Sequence, residues 1–583
     1  MTSQHTSWIA LAQKQAAQFG NKSAYIFLKN GEHIGESITY KKVDLRARAL
    51  AACLQTQCSP GDRALLVYDS CIENMIAFFA CLYAGLIAVP VCLPHRNRRN
   101  ARLESILTDC NPSVALSTAQ EITQIERHFH HDSLLQRAIW LATDTVLPHE
   151  ADAWIEPGSR CNTTAFLQYT SGSTSIPKGV AVTHGNLLHN QAMLQHAFKT
   201  TKHSTVVSWL PIFHDMGLIG QMLHAFYIGA TCVFMSPMSF LQQPERWLRA
   251  ISEYKADISG GPNFSYSLCE KKIPEDLLQT FDLSSWRVAL NGAEPVQHHT
   301  LEAFDRRFAC CGFQKKAFCP GYGMAEATLI ISGSSPDEEP VYRWVDKKEL
   351  RKDRVVTSSP FAPSAQPLVG CGNRIFDETI VIVDPKTSEL CPDDQIGEIW
   401  VAGKHVAQGY WSRVEATRDT FQAYLNDGRG PFLRTGDLGF LKDGTLFVTG
   451  RLKDVIILQG AKHYPQDIEA SIQATITAVR PEGVATVGVN SPAGDKVVVV
   501  AEVQRKMLHK ADLNNIVNSI RRVVSQDHGL PLQDVVLVRP GTLPKTTSGK
   551  IQRRLCGDLY LSEGFQVCYQ AGAYAANMSI TAN

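Results

Sequence analysis

The chain has 583 residues, of which 44% are hydrophobic and 19% charged, and its 57 Lys and Arg nearly balance 56 Asp and Glu for a formal net charge of +1. That length is more than one compact core supports, so two or more globular domains are expected, and the even balance excludes a global basic field for nucleic acid. Sixteen Cys lie scattered without a Cys-x-x-Cys pair, which fits reduced thiols in a cytoplasmic enzyme better than a disulfide scaffold or a zinc site.

No basic region followed by an apolar core opens the chain, so no signal peptide is expected. Residues 75–93 carry no charge over a length that could cross a membrane. Gly85 and Pro90 interrupt that run, and a helix over residues 73–84, a Gly turn and a buried strand over residues 86–91 are predicted instead. His131 to Leu134 is similar to a phosphopantetheine attachment site, but no Gly precedes it and a surface helix is the better reading. His128, His130 and His131 are spaced around a helix rather than along one face, which argues against a metal site.

Short apolar strands are predicted over residues 64–68, 205–209, 231–235 and 287–291, with helical periodicity between several of them. The fold class is therefore α/β with buried sheets. After Arg451 a smaller α+β unit follows, with strands over residues 483–489, 496–503 and 534–538 and an amphipathic helix over residues 513–525. The expected division is a large domain over 1–451, a joint at 452–454, a mobile small domain over 455–560 and a tail over 561–583. The last residues, 571–583, are small and polar and are expected to fray.

The most informative stretch is Tyr169 to Gly179. Thr170, Ser171, Gly172, Ser173 and Thr174 follow an apolar run, and Pro177, Lys178 and Gly179 close the corner. Small residues let backbone N–H groups approach phosphate oxygens, hydroxyls donate, and Lys178 adds positive charge. A nucleoside triphosphate is the implied ligand. The order of residues is not that of a Walker loop, because no Ser or Thr follows the Lys to hold a metal.

Further segments occur in order: residues 209–217 (Trp209 through His214 and Asp215 to Gly217), 291–295 (Asn291, Gly292, Ala293, Glu294, Pro295), 321–328 around Tyr322 and Glu326, 433–439 around Asp437, 450–454 around Arg451 and Lys453, and 543–551 ending in Gly549, Lys550 and Ile551. Together with the phosphate loop they closely resemble the adenylate-forming superfamily of acyl-CoA ligases, luciferases and peptide-synthetase adenylation domains, over about residues 35–555. The resemblance implies a large N-terminal domain, a small C-terminal lid, and attack of a carboxylate on the α-phosphate of ATP. A carboxylate meeting a polyanion is repelled, by ~1 kcal/mol per charge pair at 4 Å in water and ~4 kcal/mol at an effective dielectric of 20, so cations are needed to offset it.

Roles follow from the resemblance. Thr170 to Thr174 cradle the β- and γ-phosphates with Lys178 beside them, although Ser175 stands where most relatives carry Gly. Glu326 binds Mg²⁺, since a hard cation takes carboxylate oxygen. Tyr322 stacks on adenine, flanked by Gly323 and Met324, while Asn291, Gly292, Ala293 and Glu294 line the base pocket. Asp437 accepts from the ribose hydroxyls and Arg451 adds a contact. Lys550 is the catalytic cation, with Lys545 the weaker candidate, Lys453 the hinge, and His214 beside the reacting carboxylate. Trp209, Met235, Phe240 and Phe264 are the candidates for an acyl tunnel.

Three features resemble fatty acyl-AMP ligases in particular, which pass long-chain acyl groups to a carrier protein or synthase carrier domain rather than to coenzyme A. They are residues 214–218, residues 260–264, and a charged, Pro-punctuated insertion over about 340–367. The insertion is expected to brace the small domain through Val341, Tyr342, Trp344, Val345, Leu350, Val355 and Val356. An acyl-CoA ligase with a decorative insertion, an amino-acid-activating enzyme using Asp215, and an inactive adenylate-binding regulator remain as alternatives.

Overall fold

Among the described residues, apolar β-branched runs pair into a 14-stranded, a 6-stranded and a 4-stranded sheet, and Ile456–Leu458 pairs with Ala461–His463 in a 2-stranded one. The computed structural model describes residues 6–93, 101–129, 139–170, 177–376, 378–458, 461–491, 494–508, 512–546 and 549–571. Ser171 to Thr174, Ser175, His130 and the stretch from His131 to Leu134 lie outside them. The larger sheet carries, toward one end, the strands Ser23–Lys29, Thr231–Met235, Thr205–Ser208, Ile258–Gly261, Val288–Asn291 and Phe318–Gly323, in that spatial order. These neighbours run parallel, as expected for strands buried on both faces. The second sheet orders Ile139–Ala142, Val114–Ser117, Arg63–Val67, Ile87–Val91, Thr164–Tyr169 and Gly179–Thr183.

The uncharged run resolves into helix Ile72–Ala84, buried along its whole length, and strand Ile87–Val91. Gly85 takes φ +74° and its N–H closes on the Cys81 and Leu82 carbonyls, the left-handed cap that Gly alone adopts without strain. No helix among the described residues is long and apolar enough to cross a membrane. No disulfide is found among the described residues.

A second core forms after the joint. Strands Val479–Ser491, Gly494–Val503 and Asp534–Val538 pack on helices Pro465–Thr475 and Leu513–His528 through Ile468, Ile472, Val499, Ile520, Val524 and Val535. Asp512 caps the second helix by accepting from the N–H groups of Asn514 and Asn515, and Gly529 ends it at φ +64°. One correction concerns the stretch read as tail. Val567–Ala571 is a fourth strand, antiparallel to Asp534–Val538, with Tyr569 packed against the second core. Its alternation of Val567 and Tyr569 is too short to register as a strand by periodicity alone.

The insertion folds as strand Tyr342–Asp346, antiparallel to Ala365–Arg374, followed by the short helix Lys347–Leu350. Val345 and Leu350 pack with Leu438, Phe440, Phe447 and Tyr464, against which Leu452 and Val455 also lie. Polar contacts reach the small lobe: Gln366 Nε2 donates to Asp467 Oδ2 at 3.0 Å, Lys462 Nζ meets Asp353 Oδ2 at 2.7 Å, and Lys347 Nζ donates to the Asp527 carbonyl at 3.1 Å. Val341 and Val356, expected as anchors, are 41% and 45% exposed. Their carbonyls serve backbone pairing, accepting from Gly370 and Asp346, while the side chains face solvent.

Candidate active site

The carboxyl ends of four parallel strands open on one edge, where ligands of α/β sheets bind. The pairings Val207 with Ser259, Gly261 with Asn291, and Asn291 with Pro320 bring these ends level. Trp209 and His214 follow the first strand, Phe264 the second, Gly292 to Glu294 the third, and Tyr322 to Glu326 end or follow the fourth. A Cβ on Gly292 would lie 2.8 Å from the Gly321 carbonyl oxygen, so this close approach requires Gly. Ala293 takes φ +65°. The Asn291 side chain is buried with both amide atoms unpartnered, which leaves a donor and an acceptor for the edge of a base.

Tyr322 donates its hydroxyl to Asp437 Oδ2 at 2.8 Å, and Arg451 Nε lies 3.3 Å from Asp437 Oδ1. Asp437 and Arg451 face each other across the hairpin of strands Leu433–Lys442 and Thr445–Arg451. Gly323 and Met324 lead into the turn Ala325–Ala327 that carries Glu326.

Glu326 is buried, and burial pushes its carboxyl pKa up, against a hydrogen bond from Tyr410 and the charge of Arg451. Tyr410 donates to Glu326 Oε1 at 2.8 Å, and Lys178 Nζ sits 4.6 Å from the centre of the Tyr410 ring. The Ala407 N–H donates to the Glu326 carbonyl at 2.9 Å, and the Thr328 hydroxyl to the His405 carbonyl at 2.7 Å. Thr328 holds φ +67° and ψ −60°, a strained conformation for a β-branched residue. On its other side the same segment pairs with the strand after the phosphate loop, through Trp411 N–H to Gly179 and Ala181 N–H to Gly409. It therefore clips the end of that loop to the Glu326 turn. Thr170 N–H donates to the Lys178 carbonyl at 3.2 Å across the mouth of the loop, and Arg102 Nη2 donates to the Thr170 carbonyl at 3.1 Å.

His214 Nδ1 lies 2.7 Å from Asp215 Oδ1. Burial works against the Asp215 carboxylate, but His214 and then Lys550 hold its pKa below the usual value. Lys550, from the small lobe, thus reaches this edge. Its ammonium pKa is lowered by burial and by Arg451, against the pull of Asp215, Glu294 and Asp437. Lys178 feels the exposed Lys453 as well as Glu326. Lys545 is occupied elsewhere, donating to the Glu482 carbonyl at 2.5 Å.

The four tunnel candidates are all apolar and on the same side. Trp209 stacks on Phe240 with centroids 4.0 Å apart and meets Phe264 edge-on at 6.0 Å, while Met235 is buried in the same core. The Trp209 indole N–H is buried without a partner.

Comparison with known proteins gives this geometry a family. Residues 12–411 match the AMP-binding enzyme family and residues 453–570 match the AMP domain of Disco-interacting protein 2-like proteins. The chain is 42% identical to the medium-chain-fatty-acid–[acyl-carrier-protein] ligase JamA of Moorena producens, over 94% of each chain. It is 36% identical to the long-chain-fatty-acid–AMP ligase FadD32 of Mycolicibacterium smegmatis, over 95% of this chain and 94% of that one. A crystal structure of a fatty acid AMP ligase from Legionella pneumophila superposes with a TM-score of 0.76 at 38% identity, over 98% of each chain. The chain belongs to the AMP-binding enzymes, in their fatty acyl-AMP ligase branch.

In this AMP-binding enzyme three residues of the site escape sequence reasoning. Tyr410 lies 84 positions from Glu326, and only folding shows that they touch. Asp215 reads as a possible amine partner, whereas its carboxylate is engaged by His214. Arg102 lies in a basic stretch with no motif of its own.

Glu294 supplies a measurable consequence. Burial first, and Glu482 of the small lobe second, push its carboxyl up to about 7 from 4.5, against the Phe264 N–H, Lys550 and Lys545. A raised carboxyl pKa stabilises the fold fully below about 4.5, and this contribution is lost as pH rises through about 7. Glu294→Gln stays neutral throughout. Its melting temperature should therefore gain on the wild type as pH rises from 5 to 8; a difference that stays constant across that range contradicts the assignment.

Proposed function

We propose that the chain activates a fatty acid with ATP, giving acyl-adenylate and pyrophosphate, and passes the acyl group to the thiol of a carrier protein. The observation that carries this reading is the arrival of Lys550, from the small lobe, among Asp215, Glu294, Asp437 and Arg451 of the large one. A carboxylate oxygen of the fatty acid attacks the α-phosphorus, and the bond from that phosphorus to the bridging oxygen of pyrophosphate breaks. In this reading Lys550 neutralises both anions as they join. Asp437 orients the ribose, with Tyr322 and Arg451 fixing its two oxygens. Asn291 reads the base, with Gly292, Ala293 and Glu294 around it, and Tyr322 with Gly323 and Met324 bound the same pocket.

The loop from Thr170 to Thr174, with Lys178, takes the outer phosphates. The residues at the Glu326 turn suit Mg²⁺, because a buried carboxylate is a hard oxygen donor beside the phosphate loop. Bound there, the metal neutralises phosphate charge. Tyr410 aims the carboxylate. His214, paired with Asp215, is the residue beside the reacting carboxylate in this reading, and Trp209, Met235, Phe240 and Phe264 take the acyl chain. The joint falls at 452–454 with Lys453 as the hinge, and the setting of free thiols supports a cytoplasmic enzyme.

A specific observation weighs against amino-acid activation: the Asp215 carboxylate is already paired with His214. An inactive regulator is disfavoured because Lys550, Glu326 and Asp437 all stand at one edge. Against the coenzyme A ligase reading stands the insertion, whose Val345 and Leu350 pack beside the joint residues Leu452 and Val455.

Incubation with ATP, Mg²⁺ and a mixed fatty-acid pool should accumulate acyl-adenylates by mass spectrometry, and added coenzyme A should leave them largely unconverted. Lys550→Ala should keep ATP binding and lose roughly 10²–10³-fold in adenylation rate, as when a single transition-state donor is removed. Pyrophosphate formation that ignores this substitution would dismiss Lys550 as the catalytic cation. Tyr410→Phe should weaken Mn²⁺ binding to the ATP complex by about tenfold, followed by electron paramagnetic resonance, the usual scale for losing an outer partner of a metal ligand. Unaltered Mn²⁺ affinity removes Tyr410 from the site. Trimming residues 347–363 to a short turn should raise the share of acyl-CoA among the products; an unchanged share counts against the brace.

A further inference from the structure

Helix Ala101–Cys110 is anchored on the second sheet, where its Leu103, Ile106 and Leu107 share one buried cluster with Leu65, Val89 and Leu167. Arg102 and Asp109 stand seven positions apart on it, about two turns, and so lie on one face. Both meet the mouth of the phosphate loop. Arg102 Nη2 donates to the carbonyls of Tyr169 at 3.4 Å and Thr170 at 3.1 Å. The Asp109 carboxylate, 6% exposed, accepts from the Tyr169 hydroxyl at 2.8 Å through Oδ2 and from Arg413 Nη2 at 2.7 Å through Oδ1. Tyr169 pairs with Gly179 across the mouth, and a Cβ on Gly179 would lie 2.9 Å from Tyr169 Cζ.

These bonds have a consequence for anion binding. A carbonyl oxygen that faces a phosphate oxygen repels it, whereas an N–H group attracts it. The two carbonyls where the chain enters the loop are both engaged by Arg102, so neither is left to oppose a phosphate. Among the described residues no carboxylate lies within 4.0 Å of Arg102 to draw the guanidinium away. Thr170, once fixed, also fixes Lys178, because the Thr170 N–H donates to the Lys178 carbonyl at 3.2 Å. Asp109 extends the same support to the Glu326 side. Arg413 lies two positions after Trp411, whose N–H donates to the Gly179 carbonyl at 2.7 Å, and three after Tyr410, which holds Glu326.

We propose that Arg102 is a positioning residue for the outer phosphates of ATP and for pyrophosphate, acting through Thr170 and Lys178, with Asp109 bracing the other side of the same mouth. This deepens the acyl-adenylate reading and rests on it for one thing, that the ligand of the loop is ATP. The helix supports the part of the site that takes the β- and γ-phosphates. Base and ribose are taken elsewhere, by Asn291 and Asp437, so AMP should not depend on Arg102.

The test measures binding by calorimetry on the whole chain, with Mg²⁺ and no fatty acid. Arg102→Gln should weaken ATP and pyrophosphate binding about tenfold, the scale of losing a charged hydrogen-bond donor, while AMP affinity stays within about twofold of the wild type. Arg102→Lys keeps the charge but lacks the fixed planar donors, and should fall between, at about threefold. Where Arg102→Gln fails to fold, Arg102→Lys carries the test alone, with that smaller loss expected. Affinities for ATP and pyrophosphate that match the wild type overturn the proposal. So does a loss shared equally by AMP, which marks a general disturbance of the cleft. No acid takes part, so a wild type that binds ATP yet forms no acyl-adenylate refutes the acyl-adenylate reading and leaves the result for Arg102 standing.

Discussion

The structure turns on placing one ammonium group in a closed cleft without locking it to a protein carboxylate. Lys550 sits in the field of Asp215, Glu294 and Asp437, yet among the described residues it has no ion pair within 4.0 Å. Each neighbour is restrained in a different way. Asp215 is paired with His214, Asp437 is shared by Tyr322 and Arg451, and Glu294 is shifted toward its neutral form. The carboxylates lower the cost of burying the ammonium, while their own partners stop them from capturing it. A direct buried salt bridge would have to be broken whenever substrate entered, at a cost of about 3–5 kcal/mol.

The route from the joint to Lys550 is short and stiff. Thr546 N–H donates to the Lys550 carbonyl at 2.7 Å, and the Lys550 N–H returns to Thr546 Oγ1 at 3.1 Å. Gly549, at φ +86°, permits the tight turn between them. Three residues beyond Lys550, Arg553 binds Asp454 at 3.3 Å and Glu469 at 2.6 Å. Asp454 is the neighbour of Lys453, so an ion pair links the proposed joint to the base of the loop that carries Lys550. If the lobes turn about residues 452–454, as proposed, the loop moves with the small lobe as a body and the position of Lys550 follows the lobe angle.

The strands that build the site were legible because each is a dense β-branched run: Thr231–Met235 and Asp534–Val538 have the predicted ends. Strand Val479–Ser491 begins four residues before its prediction, since Arg480, Pro481 and Glu482 break the apolar pattern and pairing with Gly494–Val503 overrides it. In the site, Tyr322, Asp437 and Arg451 were legible as motif residues, and the fold joins them directly. Tyr410 was not, because a hydroxyl across 84 positions leaves no periodic trace. Val341 and Val356 misled for the opposite reason: hydrophobicity was read as anchoring, whereas backbone pairing had already fixed these positions.

The insertion sets the energetic terms on which the lobes can separate. Val345 and Leu350 are buried against Tyr464 and beside Leu452 and Val455, on both sides of Lys453. Each such side chain contributes about 1.5–3 kcal/mol on burial, and the bridges Gln366 to Asp467 and Lys462 to Asp353 add about 0.5–1.5 kcal/mol each. Leu438, Phe440 and Phe447 of the large lobe keep part of both side chains covered in any pose, so uncovering them costs less than about 3–6 kcal/mol and leaves the rotated pose no rarer than roughly one part in 10⁴ on this account. An acceptor too small to touch both lobes gains nothing that favours the rotated pose and meets it at that dilution. A folded carrier can spread contacts over both lobes and supply the missing differential affinity itself. Under the proposed transfer to a carrier, selection over a free thiol needs no site that rejects the small molecule, only a joint at 452–454 that stays closed until something large enough opens it.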